Sequence, residues 1–395
     1  MISEATIAFI QQHANDDVRQ LALQGTKNPE VDLPFALDQI AGRQKARQKL
    51  PSWAATEGIV YPPHLSMEQC SSEQTARYKS NLIGSGRRMV DLTGGFGVDF
   101  SFMARGFAEA VYVERQEHLC AIARNNLLLL GLQQAQVVCG DGTDYLRQME
   151  PADVVFIDPA RRDSQGSRTY GISDCTPDVL EMLDLLLEKA GRVLLKLSPM
   201  LDWRKAVSDL GEQNVREVHI VSVGNECKEL LLVLGKGEGM RLVCVNDDSV
   251  FEAHKANGAN EPYGAHKPNE TNKPHQGAYL FEPNASIMKA GCFDELAQHF
   301  AISQIARNSH LFVADRLIDG FPGRVFQIDA VTSMNKRELK ASLDGIRQAN
   351  IAVRNFPLSV ADLRKRLKIS EGGSTYIFAT TLATMDRVLI ICRKV

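Results

Sequence analysis

The chain alternates between short apolar runs and helix-like patterns from about residue 85 to residue 235. The apolar runs are RRMVDL (87–92), AEAVYVE (108–114), AQVVCG (135–140), DVVFIDP (153–159) and RVLLKLS (192–198). Val, Ile and Leu occur on both faces of these runs, which is typical of strands in a sheet covered on both sides. Helical spacing separates the runs, as at Leu119, Ile122, Ala123, Leu127 and Leu130. This rhythm predicts a doubly wound α/β domain with a Rossmann-like sheet.

Two further strands are predicted at VREVHIVSV (215–223) and CKELLLVLGK (227–236). Only Gly224, Asn225 and Glu226 separate them, and so short a connection forces neighbouring strands to run antiparallel. We therefore expect a sheet of seven strands whose last strand is antiparallel to the others.

The first 83 residues are predicted to form a helical N-terminal region. Apolar residues recur there at helical spacing, at Ile7, Ile10, Val18 and Leu21 and again through FALDQIAGRQKARQKL (35–50). The two prolines of YPPHLSMEQCSSEQTARYK (61–79) interrupt the pattern. Ser71 with Gln74 then forms a potential capping box, which opens a helix toward Lys79.

The composition changes after residue 253. Residues 254–277 are rich in Asn, Pro, Gly and Lys, and this favours a flexible loop over a metal site despite three histidines. Beyond the loop, strand and helix patterns alternate, and the chain closes with strands at STYIFATTL (374–382) and DRVLIICRK (386–394). Residues 236–395 are therefore predicted to form an α+β domain of ferredoxin-like type.

Length, composition and charge restrict the function classes. A chain of 395 residues exceeds the size at which one core keeps growing, so two or three domains are expected. Apolar residues make up 44% and charged residues 24%, as in ordinary globular proteins. The net charge of -3 argues against a dedicated nucleic-acid binder with a global positive field. The basic clusters GRQKARQK (42–49) and LRKRLK (363–368) are either local RNA contacts or solvated helix faces.

The cysteines and the N-terminal residues bear on metal binding and location. Eight cysteines are scattered without a CxxC pair, which argues against a zinc site or a disulfide framework and for reduced thiols. No apolar run approaches the roughly 18 residues that span a bilayer, and the first residues contain an early acid and no basic segment. We expect a cytoplasmic protein with no structural metal and no membrane partner.

The segment DLTGGFGVD (91–99) contains a candidate ligand-binding turn. Its glycines directly follow a strand, which lets the backbone turn sharply and approach a ligand. A dinucleotide fingerprint would require a third glycine where Phe100 stands, so a pyrophosphate ligand is disfavoured. The spacing of Asp91, Gly95 and Gly97 instead resembles the first motif of S-adenosylmethionine-dependent methyltransferases. An acid at the strand end can receive the ammonium group of that cofactor.

Three further acids stand at the ends of predicted strands. Glu114 ends AVYVE, where a carboxylate can accept both hydroxyls of a ribose. Asp141 follows VVCG and is placed to accept the exocyclic amine of adenine, and Asp158 follows VVFI. Any one of these acids is readily explained as a helix cap or a solvated residue. Because ligands of open α/β sheets bind at the carboxyl ends of the strands, we expect the acids to line one crevice with Asp91.

IDPARR (157–162) resembles the fourth motif of methyltransferases that act on exocyclic amines, written Asp/Asn/Ser-Pro-Pro-aromatic. In those enzymes the acid accepts a hydrogen bond from the target amine, and catalysis is mainly positioning. Here Ala160 replaces the second proline and Arg161 the aromatic residue, and a guanidinium can stack on a base or hold a phosphate. RNA 5-methyluridine enzymes carry a similar DPAR motif but need a nucleophilic cysteine, which KLSPM (196–200) lacks. Covalent uridine chemistry is therefore disfavoured.

Taken together, YPPHLSMEQCSSEQTARYK, DLTGGFGVD, VERQEHLCAIARNN and FIDPARRD resemble a bacterial family of methyltransferases related to trimethylguanosine synthase. Members of that family combine a class I methyltransferase domain with a helical N-terminal region and a C-terminal THUMP-like domain. The resemblance implies a methyltransferase domain at 84–235, a THUMP-like domain at 236–395, and S-adenosylmethionine as the cofactor. It also implies methylation of an RNA base in tRNA or rRNA, at an exocyclic amine.

The resemblance assigns roles to individual residues. It implies cofactor contacts from Asp91, Thr93, Gly95, Gly97, Glu114, Asp141 and Lys79, with Glu73, Thr75 and Lys79 in a segment that closes over the cofactor. Asp158 and Pro159 would be catalytic and face the acceptor, and Arg161, Arg162 and Tyr170 would contact the RNA. Tyr78, Phe96 and Tyr170 are candidates for base stacking or for core packing. Alternative functions are a methyltransferase for a protein or small molecule, a non-catalytic RNA-binding protein, and a nicotinamide-dependent oxidoreductase.

Overall fold

The computed structural model describes residues 2–161, 171–253 and 273–395. The loop predicted at 254–277 lies outside these residues as far as residue 272. Within the three described ranges, every helix is too short or too polar to cross a membrane.

The helices and strands belong to two compact units. Unit 1 comprises Met1–Glu217 and Leu231–Met240, and unit 2 comprises Val218–Leu230 and Arg241–Val395. The α-helices of the described residues are α1 (Glu4–Gln12), α2 (Val18–Gln24), α3 (Leu33–Lys49), α4 (Pro51–Ala55), α5 (His64–Gln69), α6 (Glu73–Ile83), α7 (Val98–Met103), α8 (Glu117–Leu129), α9 (Gly142–Gln148), α10 (Val179–Lys189), α11 (Trp203–Leu210), α12 (Ala285–Ala290), α13 (Phe293–Phe300), α14 (Lys336–Ser342) and α15 (Val360–Leu367). The strands are β1 (Gly86–Asp91), β2 (Phe107–Glu114), β3 (Ala135–Cys139), β4 (Ala152–Ile157), β5 (Ala160–Arg161), β6 (Cys175–Thr176), β7 (Ala190–Leu197), β8 (Val215–Val223), β9 (Glu226–Leu234), β10 (Arg241–Asn246), β11 (Ser249–Ala253), β12 (Tyr279–Pro283), β13 (Ser303–Gln304), β14 (Phe312–Ala314), β15 (Gly323–Ser333), β16 (Asn350–Arg354), β17 (Thr375–Thr381) and β18 (Arg387–Lys394).

The sheet that carries the site has nine strands, two more than predicted, and seven neighbouring strands of it have the order β8-β9-β7-β4-β1-β2-β3. The pairs from β7 to β3 are parallel, so their carboxyl ends meet at one edge. At that edge, Asp91 of β1 lies opposite Tyr112 of β2 and Phe156 of β4. This order confirms the predicted Rossmann-like sheet and brings the ends of three acid-bearing strands together.

The hairpin of β8 and β9 confirms the antiparallel last strand. Gly224 and Asn225 connect the two strands, and at the open end the Gly235 amide donates to the Asn214 carbonyl at 3.0 Å. A Cβ atom on Gly235 would also lie 3.4 Å from the carbonyl of Gly191, near the start of β7. Since the end of β9 adjoins the start of β7, these two strands run in opposite directions.

The helical N-terminal region packs directly on the turn that follows β1. The buried cluster consists of Ala46, Leu50, Trp53, Ile59, Tyr61, Met67, Ala76, Phe96, Val98 and Phe102. At its centre the rings of Trp53 and Phe96 meet edge to face, with 4.9 Å between centroids. The helices α3 to α6 therefore share one core with α7 and the turn before it.

In the extended segment between α4 and α5, side-chain amides make the backbone hydrogen bonds that a neighbouring strand would otherwise make. The Val60 amide donates to Asn126 Oδ1 at 2.9 Å, and Asn126 Nδ2 donates to the Val60 carbonyl at 2.8 Å. Gln39 makes the same pair of bonds with Tyr61, at 2.8 and 2.9 Å. Asn126 and Gln39 are both buried, so these bonds satisfy backbone groups that are shielded from water.

The start of α6 differs from the prediction by one residue. Ser72, and not Ser71, is the N-cap, and its hydroxyl accepts a hydrogen bond from the Thr75 amide at 3.2 Å. The hydroxyl of Ser71 instead donates to Asp99 Oδ2 at 2.8 Å. Two adjacent serines look alike as caps, and the tertiary contact with Asp99 decides between them.

Unit 2 contains a sheet with the strand order β13-β14-β12-β15-β18-β17-β16. Its neighbouring strands are antiparallel except for β16 and β17, which are parallel. Helices α14 and α15 precede β16 and β17. Leu363 of α15 forms a buried cluster with Ile377 and Leu389 of the sheet, and Leu339 of α14 packs against that cluster. This arrangement confirms the predicted C-terminal α+β domain.

We expect Trp53→Ala to lower the free energy of unfolding by about 3–5 kcal/mol, because it leaves a cavity beside Phe96. Trp53→Phe should cost much less, since the Trp53 indole nitrogen is buried and finds no hydrogen-bond acceptor among the described residues. Urea unfolding followed by the fluorescence of Trp203, a buried residue of unit 1, measures both effects. Leu128→Ala, at a side chain that is 66% exposed, is the control and should change stability by less than about 0.5 kcal/mol. Equal losses for the two Trp53 variants would contradict this account.

Candidate active site

The glycine turn, residues 92–97, is shaped by contact with β2. The Gly94 amide donates to the Val113 carbonyl at 2.8 Å, and a Cβ atom on Gly94 would lie 2.2 Å from the ring of Tyr112. Gly95 and Gly97 have φ angles of +57° and +83°, a region that glycine adopts without strain. The turn therefore lies flat against the neighbouring strand, with bare backbone at its surface.

Glu114 ends β2 and fixes the glycine turn from the side. Its Oε2 accepts a hydrogen bond from the Gly95 amide at 2.9 Å, and its Oε1 accepts one from the Gln116 amide at 2.8 Å. The Tyr112 hydroxyl donates to the Gly95 carbonyl on the same side. Only 7% of Glu114 is exposed, so the predicted ribose acceptor is a buried and oriented carboxylate.

Asp91 is the most enclosed acid at the edge of the sheet. It is 1% exposed, and its Oδ1 accepts a hydrogen bond from the Thr93 amide at 2.9 Å. The Thr93 hydroxyl in turn accepts from the Asp158 amide at 2.7 Å, which ties the end of β4 to the turn. Burial, together with the negative charges of Asp99, Asp158 and Glu114, raises the pKa of Asp91 well above its usual range. Predicted site acids therefore lie close enough to repel one another.

Two lysines compensate the remaining carboxylates. Lys79 Nζ lies 3.1 Å from Asp99 Oδ1, Lys196 Nζ lies 3.2 Å from Asp99 Oδ2, and Lys196 Nζ lies 2.7 Å from Asp158 Oδ2. Lys79 Nζ also donates to the Ser71 hydroxyl at 3.2 Å. Burial alone would raise the pKa of Asp99, but Lys196 and Lys79 outweigh it and lower the pKa to about 2. We call Lys79, Asp99, Lys196 and Asp158 the ion-pair chain.

The sequence patterns give no role to Asp99 or Lys196. Asp99 lies in the first turn of α7, where acids are common because of the helix dipole. Lys196 interrupts the apolar run of β7, and a charge in such a run needs a buried partner. The charge of Lys196 within an apolar run therefore indicates a buried ion pair. The sequence does not identify the partners, because Asp99 and Asp158 are far from Lys196 along the chain.

Asp141 and Pro159 lie just after the ends of β3 and β4. Asp141 follows β3 and caps α9, because its Oδ1 accepts hydrogen bonds from two amides of the first turn at 2.8 and 3.2 Å. Unlike the other acids it is exposed. A Cβ atom on the next residue, Gly142, would lie 2.2 Å from the Leu92 carbonyl, so α9 begins against the glycine turn. Pro159 is buried after β4.

The predicted RNA contacts are only partly within the described residues. Arg161 lies in β5, opposite Cys175 of β6. Arg162 and Tyr170 lie outside the described residues. Of the stacking candidates, Phe96 is 6% exposed and packs in the core, and Tyr78 is half-buried on α6.

The carboxyl edge of the sheet fits a cationic ligand that lies close to the backbone. The four acids Asp91, Asp99, Glu114 and Asp158 concentrate negative charge there, and a bound cation would relieve the repulsion on Asp91. The glycine turn admits close approach of a ligand. The residues thus fit S-adenosylmethionine, which carries an ammonium and a sulfonium group. Among the described residues, no group of three His, Cys, Asp or Glu side chains is placed to hold a metal ion.

Three parts of the chain match known protein families. Residues 68–164 match the family of protein-L-isoaspartate (D-aspartate) O-methyltransferases. Residues 279–322 match a family of ferredoxin-like domains, and residues 323–394 match a family of THUMP domain-like sequences. The first match covers the glycine turn and the acids at the ends of β1, β2 and β4.

Two individual proteins are similar to the chain. The crystal structure of a proposed methyltransferase from Porphyromonas gingivalis W83 has a TM-score of 0.84 and 31% identity, over 99% of this chain and 97% of that chain. The protein-L-isoaspartate O-methyltransferase of Thermotoga maritima is 29% identical over 126 residues, which are 31% of this chain. The chain spans only 35% of the length of that curated relative. The first similarity extends over both units, and the second is confined to a part of the chain.

We expect the two buried aspartates of the site to respond in opposite ways to neutralisation. Because the pKa of Asp91 is raised, its ionised form costs stability at neutral pH, and Asp91→Asn should raise the free energy of unfolding of the ligand-free protein. Asp99→Asn should lower it by about 3–5 kcal/mol, since Lys79 and Lys196 lose a buried partner.

Urea unfolding at about pH 5 and about pH 8 measures both effects. A group with a raised folded pKa contributes stability below its unfolded pKa and loses it as the pH rises, so the gain from Asp91→Asn should be larger at the higher pH. The pKa of Asp99 is lowered, so its contribution is present above the unfolded pKa and the loss should appear at both pH values. A destabilised Asp91→Asn protein at the higher pH would contradict the account.

Proposed function

The chain belongs to a family of S-adenosylmethionine-dependent methyltransferases with a C-terminal THUMP-like domain, and on that premise we propose that it methylates an exocyclic amine of an RNA base in tRNA or rRNA. The observation that carries the proposal is the position of Asp158 and Pro159. They follow β4 directly, beside the glycine turn, where the amide of Asp158 is bonded to Thr93 at 2.7 Å. An acceptor amine held at Asp158 would therefore adjoin the cofactor.

On the cofactor side, we propose that Asp91 receives the ammonium group and Glu114 the ribose hydroxyls. S-adenosylmethionine supplies a methyl group on a positively charged sulfur when it is bound. Glu114 is already oriented by two backbone amides, so it needs no reorganisation to accept further hydrogen bonds. The exposed Asp141 is assigned to adenine. Lys79, whose ammonium group contacts Asp99 and Ser71, would act at this site through Asp99.

On the acceptor side, the carboxylate of Asp158 would accept a hydrogen bond from the target amine and aim its lone pair at the methyl carbon. The amine nitrogen forms the new N–C bond while the C–S bond breaks, and the electron pair of that bond stays on sulfur. The proton that the amine loses passes to Asp158 or to water. Orientation supplies most of the acceleration in such a step, so strong acid or base groups are not required.

Support for RNA as the acceptor comes from unit 2. Residues 323–394 match the THUMP domain-like family, and they include the basic cluster LRKRLK (363–368). The basic residues Lys336, Arg337 and Lys340 of α14 and Lys365, Arg366 and Lys368 in or next to α15 are all exposed. Cations on two helices of one sheet face are suited to phosphate contacts.

A protein acceptor is the second candidate, and the match of residues 68–164 to the isoaspartate methyltransferase family favours it. That match covers the residues we assign to the cofactor, which serve any acceptor equally well.

The domain boundaries at 84–235 and 236–395 and the cytoplasmic location remain predictions from the sequence.

Methyl transfer can be tested without knowing the acceptor in advance. The protein is incubated with methyl-labelled S-adenosylmethionine and, separately, with tRNA, rRNA, protein and small-molecule fractions from cells that lack it. We expect label in an RNA fraction, in a nucleoside methylated on an amine. At a cofactor concentration below the wild-type Kd, Glu114→Gln should lower labelling by about tenfold because it weakens cofactor binding, whereas the exposed Glu117→Gln should label normally. Label confined to the protein fraction would support the second candidate instead.

The basic face of α14 and α15 can be tested by salt dependence. The double variant Lys365→Glu, Arg366→Glu should bind fluorescent tRNA more weakly, and the slope of log affinity against log salt should fall by about two, one for each lost phosphate contact. The double variant Arg307→Glu, Arg316→Glu, at two exposed positions of the same unit outside these helices, is the charge-matched control. An unchanged slope in the double variant would exclude this face from RNA binding.

A further inference from the structure

The ion-pair chain joins four different elements of unit 1. Lys79 comes from α6, Asp99 from α7, Lys196 from β7 and Asp158 from the residue after β4. The side chains of Lys79, Asp99 and Lys196 are 0%, 10% and 12% exposed, whereas that of Asp158 is 40% exposed. The ion-pair chain therefore begins at the buried Lys79 and ends at the Asp158 carboxylate, which is open to a ligand.

The ion-pair chain contains two lysines and two aspartates, so its positive and negative charges are equal in number. Asp99 touches both lysines, because Lys79 Nζ lies 3.1 Å from its Oδ1 and Lys196 Nζ lies 3.2 Å from its Oδ2. Lys196 is the lysine that reaches Asp158, at 2.7 Å. Lys196 therefore lies between two carboxylates, those of Asp99 and Asp158. Within the ion-pair chain, Asp99 contacts both lysines and Asp158 contacts Lys196.

We propose that Lys196 is a positioning residue for methyl transfer, which holds the Asp158 carboxylate in place for the acceptor amine and is itself held by Asp99. This inference rests on the proposed function, because it takes Asp158 as the residue that meets the acceptor. Lys196 fixes Oδ2 of Asp158, while Thr93 fixes the backbone of the same residue. Side chain and backbone are then both anchored, which leaves the carboxylate little freedom to rotate.

The charged groups around Asp158 determine what removal of Lys196 should do. Lys196 faces it from β7, Asp99 from α7 and Asp91 from β1, and Thr93 contributes a neutral hydroxyl. Loss of the Lys196 cation removes an attraction and leaves the carboxylates of Asp99 and Asp91 in place, so ionisation of Asp158 should require a higher pH.

The kinetic experiment compares Lys196→Met, Lys196→Arg and Lys205→Met in the full chain. Lys205 is a lysine of α11 that pairs with Asp209 at 2.9 Å and is 58% exposed, so its variant controls for loss of an ion pair. The probe is the fraction of RNA that wild type labels, and S-adenosylhomocysteine binding is measured by calorimetry. For Lys196→Met we expect kcat about 100-fold lower, KM and cofactor affinity changed by less than about threefold, and the acid limb of the pH profile moved up by about one to three units.

Lys196→Arg should restore most of the rate and the position of the acid limb, because it keeps the cation. If Lys196→Met does not fold, Lys196→Arg is compared with Lys196→Gln instead. A reduced rate with an unmoved acid limb, or no difference between the arginine and glutamine variants, would assign Lys196 a structural role only and overturn the proposal.

A second measurement needs no acceptor. Infrared titration of protein labelled with ¹³C at the aspartate carboxylates, with Asp158→Asn as the reference, follows the ionisation of Asp158 directly. Its midpoint should move to higher pH in Lys196→Met and stay in place in Lys205→Met. A moved midpoint in a protein that methylates no RNA would refute the RNA proposal and leave the role of Lys196 intact. An unmoved midpoint would refute the role of Lys196 whatever the acceptor is.

Discussion

The hydrogen bond from the Gly95 amide to the Glu114 carboxylate holds the site together. It can form because β1 and β2 pair in a parallel register that places Asp91 opposite Tyr112, so the turn after β1 passes over the end of β2. The register also requires a residue without a Cβ atom at Gly94, which lies against the Tyr112 ring. Once the turn is fixed, its Thr93 can bind the backbone of the next strand end. One register thus sets the positions of acids on three strands.

Placing several carboxylates at one edge of the sheet is electrostatically unfavourable, and neighbouring elements compensate for part of the repulsion. Asp91 is buried among like charges and is not paired with a lysine in the ion-pair chain. Asp99 and Asp158 are compensated by Lys79 from α6 and Lys196 from β7. The helical N-terminal region is therefore part of the electrostatics of the site, as well as part of its core. This explains why helix α6 carries a lysine that is fully buried.

Much of this site could be predicted from the sequence, because its acids lie at the ends of strands. Strand order in such a sheet follows from the alternation of strands and helices, so Asp91, Glu114 and Asp158 could be placed at one edge in advance. Lys196 and Asp99 could not be paired, because they are 97 residues apart and meet only through the tertiary fold. The cap of α6 was misplaced by one residue for the same reason.

The amide clamps on the segment between α4 and α5 have a consequence for synthesis of the chain. The backbone of Val60 is satisfied by Asn126, which is 66 residues later in the sequence. On the ribosome, the N-terminal helices therefore emerge well before the side chain that completes their attachment. Until residues 96–130 have left the exit tunnel, water must take the place of Asn126, and the apolar face around Trp53 lacks Phe96, Val98 and Phe102, which cover it. Nascent chains of this protein should pass through a long interval in which chaperones can bind that face.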